Sequence, residues 1–224
     1  MRRKTMASGV VAAAIILSGC AATHQARSVE TSGFLKDYSI LHEGESGEAL
    51  LIYKNPNADL SRYDKVLIEP VEIWRAADSE LEDFPEEDGQ RLGTYLHDAL
   101  KRELEKDFQI VSEPGNGTLR IRAAITEASG SSAPLNMITT VVPIGIAVSA
   151  VTRVATGTAA FVGAASAEGE ITDSATGELL FAGVDRRVGT KRIRGSWSQW
   201  EDVEEAFNYW AERIRLRLTE GRQK

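Results

Sequence analysis

The stretch "AASAEGEITDSATGELLFAGVDRRV", residues 164–188, decides the fold class. Ala164 to Thr172 is one extended run and "LLFAGVDRRV" is another. Between them "DSATGE" carries turn chemistry, supplied by Asp173 and Gly177, residue types that favour turns. Two strands joined by so short a turn form an antiparallel hairpin.

Upstream, "TLRIRAAITEA", residues 118–128, sets Leu119, Ile121, Ala123 and Ile125 against Arg120 and Arg122. A period of two predicts a strand buried on one face. "FQIVSEP" is a shorter strand stopped by Pro114 and Gly115, and Leu50 to Tyr53 another, closed by Asn55-Pro56-Asn57. In "YDKVLIEPVEIW", residues 63–74, Val66 and Ile68 share a face, and Pro70 predicts an edge, a bulge or the strand's end. Phe34, Leu35, Tyr38 and Leu41 recur at helical spacing until Gly44 and Gly47 interrupt them.

Two longer helices are predicted. From Gln90 to Lys106, Leu92, Leu96, Ala99, Leu100 and Leu104 repeat at three and four, with Pro85, Glu86, Glu87 and Asp88 suited to the helix start. At the end of the chain Val203, Phe207, Trp210, Ile214 and Leu218 form an apolar stripe, and Ser198 with Glu201 matches a capping box. Interspersed strands, a late hairpin and two amphipathic helices predict an α+β domain, in which a mixed, mostly antiparallel sheet is covered on one face by both helices.

The first residues are of another kind. Arg2, Arg3 and Lys4 precede an uncharged run, Ala7 to Leu17, of about 11 residues. That length suits a secretory signal and falls short of the roughly 18 to 20 residues a spanning helix needs. "LSGC", residues 17–20, resembles the bacterial lipobox and holds the only cysteine. The resemblance implies cleavage after Gly19, acylation of Cys20 with palmitate-like chains, and anchorage in a Gram-negative envelope. Ala21, where retained lipoproteins carry aspartate, implies the outer membrane, with the domain facing the periplasm. Residues 1–19 are thus read as a signal peptide, 20–32 as a lipidated tether reaching about 40 Å when extended, and 33–224 as one α+β domain.

Loss of residues 1–19 removes three positive charges and moves the formal net charge from −7 to −10. So acidic a chain is a poor match for nucleic acid or anionic lipid as its main partner. With Cys20 acylated no thiol remains for a disulfide, so the core alone must hold the fold.

The segments "SGFLKDYSIL", "LIYKNPNADLSRYDKVLIEPVEIW", "AFVGAASAEGEITDSATGELLFAGVDRRVG" and "FNYWAERIRLRL" together resemble a bacterial family of outer-membrane lipoproteins of unknown function, across residues 32–218. The resemblance transfers no catalytic residue. The order strand, helix, strand, strand through Ala123 is also similar to a unit in the amino-terminal domain of TolB and in curli-secretion-type lipoproteins.

No catalytic, metal or cofactor pattern stands out. His24, His42 and His97 lack ligand spacing, no G-x-S-x-G or phosphate loop is present, and acidic neighbours such as Glu86 with Glu87 read as solvated faces. Two stretches are singled out. In "DRRVGTKRIRGSWSQW", Arg186, Arg187, Lys191, Arg192 and Arg194 precede Trp197, which reads first as a solvated loop leading to the final helix and otherwise as a contact for peptidoglycan carboxylates, lipid A phosphates or the acidic patch of an envelope protein. "LNMITTVVPIGIAVSAVTRVATG", residues 135–157, overlaps a 25-residue stretch without charge, Ala128 to Thr152, is ended by Arg153 and Gly157, and reads as core or interface helix or as a membrane contact. The function expected is a lipid-anchored binding or assembly module of the envelope. The alternatives are a carrier of lipid or another apolar ligand and an enzyme acting on envelope polymers.

Overall fold

The computed structural model describes residues 23–75, 81–82, 84–130, 163–189 and 200–223. Its strands are β1 (Thr23–Gln25), β2 (His42–Glu43), β3 (Leu51–Lys54), β4 (Lys65–Ile68), β5 (Glu72–Ile73), β6 (Gln109–Val111), β7 (Thr118–Ser129), β8 (Ala164–Asp173) and β9 (Leu179–Gly189). The helices are α1 (Glu86–Leu104) and α2 (Glu201–Arg222). The strands form one sheet in the order β2-β3-β9-β8-β7-β4-β6, with β1 alongside β9 and β5 alongside β7.

The hairpin is the centre of that sheet. β8 pairs antiparallel with both β9 and β7. Asp173 closes the turn as expected: its Oδ1 accepts the backbone N–H groups of Ala175 at 2.8 Å and Thr176 at 2.9 Å, while Gly177 adopts φ +77°. β4, β5 and β6 are the parallel members. α1 makes the crossover from the β4–β5 side to β6 that parallel strands require. Pro70 interrupts the expected single strand, leaving β4 and β5 both against β7 with one extra residue between them: Ile68 pairs with Ile121, and Glu72 with Ala124. The missing proline N–H is the physical reason.

Both helices lie on one face. Leu92, Leu96, Ala99, Leu100 and Leu104 of α1 meet Val203, Phe207, Trp210 and Leu218 of α2 over Val66, Ile121, Ile125 and Leu180. Burying each large apolar side chain contributes about 1.5–3 kcal/mol, so this interface carries most of the stability. At its rim Arg91 reaches Glu204 at 2.8 Å and Arg215 reaches Asp107 at 2.8 Å. The opposite face is covered more lightly, by Phe34 and Leu35 over Ala124, Ala182 and Val184.

Three local expectations are corrected. Phe34 to Leu41 is a series of bends rather than a helix. Gly33 sits at φ +90°, and the Tyr38 hydroxyl accepts the N–H groups of Gly33 at 2.9 Å and Leu35 at 3.1 Å, so the side chain closes the turn that a helical backbone would have closed. The cap of α2 is Trp200, without a side-chain cap bond, not Ser198 of the supposed capping box. Trp200 packs edge-on against Phe84 at 5.5 Å, so burial sets the helix start. Residues 23–25, expected within a free tether, form β1.

Candidate functional site

Two features of the described chain are candidates for a site, a buried polar network and an open cleft. The first is the end of the sheet where β1 enters. Thr23 pairs with Gly189 and Gln25 with Arg187. Arg187 donates from Nε to Thr23 Oγ1 at 2.9 Å and from Nη2 to the Thr23 carbonyl at 2.8 Å, and its guanidinium lies 3.5 Å from the Tyr209 ring centroid. Asp185, two residues before on the same face, accepts Trp210 Nε1–H at 2.7 Å and Gln25 Nε2–H at 2.6 Å. Burial lowers the Arg187 pKa, opposed by the charge of Asp185 and by Tyr209.

This alters the expected basic surface. Arg187 is only 4% exposed and serves the interior. Arg186 faces the other side of the sheet and forks onto Glu127, Nε to Oε2 at 2.7 Å and Nη2 to Oε1 at 2.6 Å. The alternation of a strand separates the two arginines, because neighbours point to opposite faces. Lys191, Arg192, Arg194 and Trp197 lie outside the described residues, as do Cys20 and residues 135–157.

The second place is an open cleft of about 700 Å³ between the β4–β5 segment and α1. Pro70, Val71 and Ile73 line one wall, Gly89, Gly93 and Thr94 the other, with His97 at the rim. The glycines let the helix approach: a Cβ on Gly93 would lie 3.2 Å from the Val71 carbonyl oxygen. Arg75 is held at one end by the carbonyls of Leu81 and Phe84, both at 3.1 Å, and pairs with Glu86 at 3.1 Å. His97 Nδ1 stands 3.4 Å from Asp98 Oδ1, and His24 and His42 are exposed on β1 and β2. Among the described residues no group of three His, Cys, Asp or Glu side chains is arranged to hold a metal ion, and no helix is long and apolar enough to cross a membrane.

A family model described as protein of unknown function (DUF3313) matches residues 30–214. The chain belongs to the DUF3313 family. No curated protein matches this DUF3313 chain. Similar solved structures include two of the PelC dodecamer from Paraburkholderia phytofirmans. One, a variant, is 13% identical and covers 73% of this chain and 95% of its own, with a TM-score of 0.41. The other is 11% identical and covers 72% and 95%, with a TM-score of 0.41. The hypothetical protein CT253 from Chlamydia trachomatis is 10% identical over 71% of this chain and 96% of its own, with a TM-score of 0.36.

Sequence patterns did not reveal Glu168. It is 1% exposed, accepting the Tyr38 hydroxyl at 2.5 Å and the Ser32 N–H at 2.6 Å. In the sequence it alternates with Glu170 on the polar face of a strand, and nothing local marks it as covered by a loop more than a hundred residues away.

Proposed function

We propose that this DUF3313 protein is a lipid-anchored periplasmic lipoprotein of the outer membrane, serving as a binding or assembly module of the envelope. The observation that carries the reading is the order of the first residues: three cations, an uncharged run, then "LSGC" ahead of the domain. Acyl chains on Cys20 supply the membrane affinity, since two or more chains anchor stably where one does not.

The cleft beside α1 is the surface we assign to a partner. Its charged groups are already paired, Arg75 with Glu86 inside the cleft and Glu72 with Arg122 beside it, leaving an apolar strand margin and a glycine-lined helix face. Such a groove suits an extended segment of an envelope protein laid along β5.

The test has two parts. Labelled palmitate should enter the wild-type protein and not Cys20→Ser, and the wild type should fractionate with the outer membrane. An unlabelled, soluble wild-type protein overturns the anchor. A photo-cross-linking side chain at Thr94, exposed in the cleft, should capture one stoichiometric partner in cells, and the same group at Ala175 should not. Equal capture from both positions overturns the assignment of the cleft.

A further inference from the structure

We infer that the Thr23–Gly189 end of the sheet stands directly on the membrane surface, so that the domain is held upright at the bilayer instead of hanging from a long tether. This rests on the acylation of Cys20 proposed above and adds an orientation to it.

The argument is one of chain length. Only Ala21 and Ala22 separate Cys20 from Thr23. Three residue steps span at most about 11 Å. Thr23 is itself immobilised: it is 3% exposed, pairs with Gly189, and receives both hydrogen bonds from the buried Arg187. The grip continues downstream, where Gln25 Nε2 donates to the Glu48 carbonyl at 2.7 Å and Ala26 N–H to the Arg186 carbonyl at 2.8 Å. The roughly 40 Å of slack that a free stretch from 20 to 32 would allow is therefore cut to about a quarter.

Direction follows from pairing. β1 runs antiparallel to β9, so the chain ahead of Thr23 leaves past Gly189, at the end where β7 finishes, β8 begins and α2 begins. The Gly189 N–H donates to the Gly163 carbonyl at 2.8 Å and the Gly163 N–H to Asp202 Oδ2 at 2.8 Å, which ties these termini together. The turn at Ala175 lies at the far end of β8, about 30 Å away at 3.3 Å per residue. The sequence between Gly130 and Gly163 and that between Gly189 and Trp200 join the domain at the near end, and neither contains an acidic residue in a chain that has 33.

The experiment uses the full lipidated chain in vesicles of phosphatidylethanolamine and phosphatidylglycerol carrying a headgroup-attached energy acceptor. Because Cys20 is acylated, His24→Cys or Ala175→Cys adds a single free thiol for a donor dye. The dye at 24 should be quenched at least about twofold more than the dye at 175, given the ~30 Å between them. Inserting about twelve Gly and Ser residues between Ala22 and Thr23 should shrink that difference. Vesicle-bound protein with equal quenching at both sites overturns the upright orientation while leaving the anchor intact. Protein that fails to float with the vesicles overturns the anchor and the orientation with it.

Discussion

The guanidinium of Arg187 lies 3.5 Å from the centroid of the Tyr209 ring, while the same group holds Thr23 by two hydrogen bonds. One side chain of β9 thereby fastens α2 to the sheet and the first strand to both. Arg187→Ala should lower unfolding stability by about 2–4 kcal/mol, since it removes a stacked cation and leaves buried acceptors unmatched. Arg187→Lys should recover little, because an ammonium cannot fork onto Thr23 Oγ1 and carbonyl while stacking. Urea unfolding within about 0.5 kcal/mol of wild type for either variant would contradict this role.

Tyr38 and Glu168 make stability sensitive to alkali. Burial raises the Tyr38 pKa, and its hydrogen bond to Glu168 raises it further. A raised folded-state value means that the contribution is complete below the unfolded value of about 10 and is lost as pH rises through the folded one. Wild type should therefore lose stability above about pH 10 more steeply than Tyr38→Phe. Parallel slopes from urea titrations across that range would count against the pair.

Asp173 acts at the other extreme. Burial pushes its pKa up, but hydrogen bonds from the Thr176 backbone, the Tyr63 hydroxyl at 2.8 Å and the Ala175 backbone outweigh this, and the pKa is lowered. The stabilisation is present above the unfolded value near 3.9 and disappears as pH falls through the folded value. Asp173→Asn should cost about 1–2 kcal/mol at neutral pH and flatten the loss of stability below about pH 4. Thermal melts at neutral and acid pH would check both effects.

The two glycines of α1 should respond differently to added side chains. At Gly93 the obstacle is backbone, the Val71 carbonyl oxygen 3.2 Å from the new Cβ. Gly93→Val should cost about 1–3 kcal/mol, because α1 must lift from the β4–β5 segment. At Gly89 the nearest atom is Ile73 Cγ1 at 3.3 Å, on a side chain that can turn. Gly89→Ala should be neutral or gain up to about 1 kcal/mol of helix propensity. Chemical denaturation of the pair measures the contrast, and equal losses would show that the helix does not rest on Val71.

What could be read from the sequence was whatever repeats over short distances. The hairpin announced itself through Asp173 and Gly177, β7 through the alternation from Leu119 to Ile125, and the helices through stripes such as Leu92, Leu96 and Leu100. These patterns suffice because a strand or helix must turn one face to the core, and that demand is written into consecutive residues. The break at Pro70 was legible for the same reason, a missing N–H. The tertiary structure alone decided what depends on partners far along the chain. Phe34, Leu35 and Tyr38 have helical spacing but fold as bends, because Glu168 offers Tyr38 a buried acceptor. Arg186 and Arg187 look alike in a basic run, yet strand alternation sends one to Glu127 and the other beneath Tyr209. Residues 23–25 are polar with no period, and only the open edge of β9 and the guanidinium of Arg187 make them a strand. A polar residue's burial depends on a counterpart that no local pattern names, and so it was settled only when the sheet closed around it.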